Sequence, residues 1–89
     1  MIELAGFRVA IRHVLYAKGK MTQEAKMFLD RAQPDICVYG HSHQARVEWF
    51  GKMLLFNPGS AGPRRFSYPR GVGLLKLQQD LVVPNVILC

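Results

Sequence analysis

The chain has 89 residues, 49% apolar and 20% charged, a balance that excludes disorder and leaves room for one domain at most. Twelve Lys and Arg against six Asp and Glu give a formal net charge of +6, which favours anionic partners without selecting one. The two distant cysteines, the lack of any apolar run near the roughly 20 residues of a membrane helix, and Glu3 where a signal peptide would be positive argue against disulfides, thiolate zinc, a membrane span and export, and fit a reducing cytoplasm.

Residues 7–14 alternate Phe7, Val9, Ile11 and His13 against Arg8, Ala10, Arg12 and Val14, the period of a strand with one buried face. His13 falls on the apolar side of that strand. Residues 17–20 read as a loop, and Thr22 caps a helix over 23–32 with Ala25, Phe28, Leu29 and Ala32 on one stripe. Pro34 stops it. The apolar run 35–39 is a second strand, parallel to the first in a β-α-β unit, and Cys37 within it is a small buried hydrophobe. Val47 and Trp49, then 53–56, form an antiparallel hairpin that turns at Gly51 and Lys52. Residues 57–60 make a turn, because Pro58 fixes one dihedral and Gly59 permits a positive one. Residues 61–70, with Gly62, Pro63 and Pro69, form a loop. Two closing strands follow, over 72–77 and Leu81–Leu88, joined near Gln79 and Asp80. The fold class is α/β. Trp49, Phe50, Phe56, Phe66 and Tyr68 read as core and sheet packing rather than as a platform for bases.

Gly40-His41-Ser42-His43 follows directly on the second strand, where loops beyond the carboxyl ends of strands gather ligands. His13, the third and last histidine, ends the neighbouring parallel strand, so the three imidazoles can reach one sheet edge. A neutral imidazole offers an in-plane lone pair suited to zinc, manganese, iron or nickel. Histidines hydrogen-bonded at a strand end are the plainer alternative, and the residues alone leave both open. Arg64, Arg65 and Arg70 are either solvated or available to a phosphate, and no nucleic-acid motif accompanies the basic charge.

Gly40-His41-Ser42-His43, the downstream Asn57-Pro58-Gly59-Ser60 and the closing segment 67–77 resemble the end of calcineurin-like metallophosphoesterases. The nearest branch is the small bacterial and archaeal phosphodiesterases, with their relatives that became a retromer subunit. The resemblance implies that residues 1–89 are a single partial domain, the C-terminal half of an α/β/β/α sandwich. It implies that His41 and His13 ligate the second metal of a two-metal site and His43 the first, although Val14 stands where the family usually has glycine. The family's Asp-x-His, Gly-Asp and Gly-Asn motifs, which include the bridging carboxylate, have no counterpart here. Glu24 and Asp30 fall on the helix, Asp35 at the far end of its strand, Asp80 in a remote turn and Glu48 on the hairpin beyond the site.

The resemblance therefore implies a weak, incomplete site for a divalent transition metal (Mn, Ni, Zn or Fe) and no catalytic residue of the chain's own. Phosphoesterase or phosphodiesterase activity on a small phosphodiester is expected when an N-terminal half supplies the missing ligands. The sequence singles out no substrate-binding residue. Two other readings stand beside this one: a non-catalytic scaffold that self-associates or binds a protein through an exposed apolar face, and a remnant of a truncated gene.

Overall fold

A computed structural model describes residues 1–42, 44–60, 71–78 and 81–88. Strand β1, Ile2–Leu4, turns at once into β2, Phe7–Arg12. A small hairpin follows, β3 (Tyr16–Ala17) and β4 (Lys20–Met21). Helix α1, Gln23–Ala32, begins where the Thr22 hydroxyl accepts the amide of Ala25 at 3.1 Å and ends on Gln33 in the left-handed conformation. Strand β5 is Ile36–Tyr39, and β6 (Arg46–Phe50) and β7 (Met53–Asn57) form the expected antiparallel hairpin. The closing strands are β8, Gly71–Gln78, and β9, Leu81–Leu88, paired antiparallel.

Five strands make one mixed sheet in the order β1-β2-β5-β7-β6, with β2, β5 and β7 parallel. Helix α1 connects β2 to its parallel neighbour β5, the expected β-α-β unit. The central strand is apolar throughout because both of its faces are covered. On one face Ala10, Cys37 and Leu55 cluster with Ala25 and Leu29 of α1. On the other, Val9, Ile36, Leu54 and Phe56 pack under Leu75, Leu77, Val82 and Val86 of β8 and β9. Leu54 and Leu55 are fully buried, and each such side chain contributes about 1.5–3 kcal/mol relative to exposure. Burial also pushes the Cys37 thiol up from 9.0 to about 11, so it is the inert apolar filler its surroundings require. Gly73 sets how close the closing strands come, since a Cβ there would lie 2.4 Å from that of Pro58 and 2.8 Å from the Phe56 ring.

The structure corrects several expectations. Strand β2 stops at Arg12, two residues early, and its alternation does not mark one buried face. Val9 and Ala10, on opposite faces, are both buried, while Ile11 is 69% exposed and His13 lies beyond the strand end, also exposed. A layer on each side of the sheet buries neighbours in pairs and defeats the period of two. Residues 17–20 are the tip of the β3–β4 hairpin, whose two turn residues Lys18 and Gly19 both have positive φ (52° and 78°), the backbone a two-residue hairpin favours. Phe56 is buried as expected, but Trp49 and Phe50 on edge strand β6 are 50% and 68% exposed. Arg64, Arg65, Phe66, Tyr68, Arg70, Cys89, the 61–70 loop and the Gln79–Asp80 turn lie outside the described residues. Among the described residues, no helix is long and apolar enough to cross a membrane.

Candidate metal centre

Parallel pairing of β2 and β5 in the register Arg12↔Tyr39 ends the two strands at the same edge of the sheet. The residues that follow must therefore emerge side by side, and a hydrogen bond from the Gly40 amide to the His13 carbonyl, 3.1 Å, ties the two exits together. The His13 and His41 rings meet edge to face with centroids 5.3 Å apart. His43 lies outside the described residues. His41 takes a φ of +80°, a backbone that costs a residue with a Cβ about 1–2 kcal/mol, so something must hold the loop.

Asn57 holds it. This side chain is 1% exposed; its amide nitrogen donates to the Ser42 hydroxyl oxygen at 3.2 Å, and its oxygen accepts the Gly59 amide at 3.0 Å. The same Ser42 oxygen accepts the Gln44 amide at 3.2 Å. The Asn57-Pro58-Gly59-Ser60 turn is thus bonded to the histidine loop it lies beside, a role the sequence reading did not assign to Asn57.

Two hollows adjoin at the histidine rim. One, about 450 Å³, is lined by His13, Arg12, Thr22 and Glu24 among others, and Glu24 stands 3.9 Å from the Arg12 guanidinium. The helix therefore brings one carboxylate to the His13 side, although its side chain is largely exposed. The other, about 460 Å³, is lined by His41, Ser42 and Arg46 with Tyr16, Lys18 and Tyr39. Behind this hollow the Tyr16 hydroxyl donates to the Glu48 carboxylate, which also pairs with Arg46 at 3.0 Å. Burial and that hydrogen bond push the Tyr16 phenol up to about 12. Glu48, expected beyond the site, instead braces its wall; its charge is engaged by Tyr16 and Arg46. Asp35 is at the far end of β5 as expected, accepting the Arg8 amide at 2.8 Å.

Two imidazoles on one rim suit a divalent transition metal in donor type, so the described residues fit part of such a group. Among the described residues, no cluster of three or more His, Cys, Asp or Glu side chains converges. The donor set is short of a closed site, which needs about four ligands for zinc and more for harder cations.

The sequence profile of a calcineurin-like phosphoesterase superfamily domain matches residues 1–80. No curated protein matches the chain. Among solved structures the chain is similar to Vps29 from Entamoeba histolytica complexed with Zn2+, with a TM-score of 0.71 and 19% identity over 98% of this chain and 58% of that one. It is similar to an archaeal phosphodiesterase (TM-score 0.68, 21% identity, 97% of this chain and 48% of that one). A third similarity is to a conserved predicted phosphoesterase from Streptococcus pneumoniae (TM-score 0.62, 24% identity, 74% of this chain and 38% of that one). The chain thus spans roughly half the length of these structures. At such identities the likeness is one of fold, and it agrees with the α/β reading: a mixed five-stranded sheet with one helix, about half of the metallophosphoesterase fold.

Proposed function

The chain belongs to the calcineurin-like phosphoesterase superfamily, and from that premise we propose that it is the histidine-bearing half of a metal-dependent phosphodiesterase of the small bacterial and archaeal kind. His13, His41 and His43 are its metal ligands in this reading. The observation that carries it is the meeting of the His13 and His41 rings on one rim. A divalent cation bound there would supply positive charge to a phosphoryl oxygen and help generate the nucleophile at neutral pH. The chain's own part is to orient the imidazoles: the Gly40–His13 backbone bond fixes the exits, and Asn57 with Ser42 fixes the loop. In this reading the carboxylate ligands come from a second polypeptide, and the chain alone is inactive.

The test is hydrolysis of bis(4-nitrophenyl) phosphate with manganese. The chain by itself gives no turnover. Mixed with a polypeptide covering the part of the archaeal phosphodiesterase that it does not span, it regains activity, and His41→Ala lowers that activity by more than the roughly 10- to 100-fold typical of losing a group behind a ligand. A mixture that assembles but stays inactive rules the catalytic reading out.

A second reading has one specific observation behind it. The outer face of the β8–β9 pair exposes Val72, Leu74, Leu81, Val83 and Ile87, interspersed with Lys76, Gln78 and Asn85, an apolar-rich surface of the kind that can mark association. It favours a scaffold that binds a protein partner or a second copy.

A further inference from the structure

Tyr39 ends β5 only 4% exposed, and its hydroxyl finds no hydrogen-bond partner among the described residues. Leaving a buried polar group unbonded is destabilising, and in a native fold such a group calls for an explanation. Tyr39 lines the hollow on the His41 side, together with Tyr16, Lys18, Ser42 and Arg46.

The chemistry of that hollow is anion-receptive. Two permanent cations and no carboxylate appear in its described lining. The Arg46 guanidinium is already engaged, 4.8 Å over the Tyr16 ring and paired with Glu48 at 3.0 Å. Lys18, at the tip of the β3–β4 turn, has no ion-pair partner among the described residues, so its charge is available to an incoming anion. The hollow's volume, about 460 Å³, falls within the roughly 300–1,000 Å³ of small-molecule pockets and exceeds what a bare phosphate ion needs. Two tyrosines supply the apolar wall for the remainder.

We infer that this hollow receives the organic arm of a small phosphate ester, with Lys18 as counter-charge to the ester's anion and the Tyr39 hydroxyl bonding a polar atom of the arm. Arg46, half-exposed, lines the same hollow as Tyr39. The inference deepens the proposed function and rests on it for placing the phosphorus beside His41. Ester binding itself needs no metal.

The experiment is a titration of the full chain in EDTA, followed by amide chemical shifts, with inorganic phosphate and with 4-nitrophenyl phosphate as probes. The ester shifts the amides of Gly19, His41 and Ser42 and binds about 10-fold or more tighter than phosphate. Lys18→Gln weakens it about 5-fold. Tyr39→Phe weakens it by a similar factor while leaving the thermal midpoint unchanged or higher, because the variant deletes an unbonded buried group. Equal affinity for the two probes, shifts centred elsewhere, or a Tyr39→Phe variant with unchanged affinity overturns the inference. Metal binding at His13 and His41 plays no part in EDTA, so failure here leaves the proposed function standing. Failure of that function leaves ester binding measurable.

Discussion

Asn57 fastens the histidine loop through both ends of its amide, to Ser42 on one side and to Gly59 on the other. Asn57→Ala would remove two partly buried hydrogen bonds, to the Ser42 hydroxyl and from the Gly59 amide, a loss of about 0.5–1.5 kcal/mol each. It would also release His41 from its left-handed backbone. Thermal denaturation of Asn57→Ala should show the lower midpoint, and its manganese affinity should fall in parallel; a variant that melts with the parent chain would show that the amide holds nothing. In the sequence, residues 57–60 read as a turn; in the structure Asn57 ends β7, and its side-chain oxygen accepts the Gly59 amide in an Asx-type bend. The bond from Asn57 to Ser42 spans 15 positions and that from Tyr16 to Glu48 spans 32. Contacts so distant arise from how β7 and β6 pack beside the strand exits, and no local pattern encodes them. Those contacts are therefore not legible in the sequence, whereas the meeting of His13 and His41 at one sheet edge follows from strand ends and residue type.

At the scale of elements, the parts that announced themselves were long enough to carry a pattern. Helix α1 shows its cap, its stripe and its stop within the residues around Gln23–Ala32, and β6 and β7 flank an obvious turn. Strand β1 has three residues and β3 and β4 two each, too few to show a period, so they exist by pairing and not by propensity. Strands β8 and β9 alternate cleanly because one face rests on Val9, Ile36, Leu54 and Phe56 while the other is bare. The bare face sets an expectation at this scale. If it is an association surface, the parent chain sediments as a dimer or larger species, and Leu74→Lys with Val83→Lys returns it to monomer without unfolding it. A parent chain that remains monomeric up to its solubility limit would remove self-association through this face.

Taken whole, the molecule is a two-sided sheet that delivers two strand exits, and with them two histidines, to one rim between two hollows. One hollow carries Glu24 and the other is basic and aromatic. A cation at the rim would therefore have an ester pocket on one side and the acidic helix start on the other. The proposed phosphodiesterase role depends on those imidazoles acting on one metal environment. Paramagnetic broadening by Mn2+ in amide spectra of the full chain tests this most directly. The account predicts broadening centred on the residues around His13 and His41, with affinity reduced about 10-fold or more in His13→Asn and in His41→Asn. Broadening centred on exposed carboxylates such as Asp30, and indifferent to both substitutions, would contradict it.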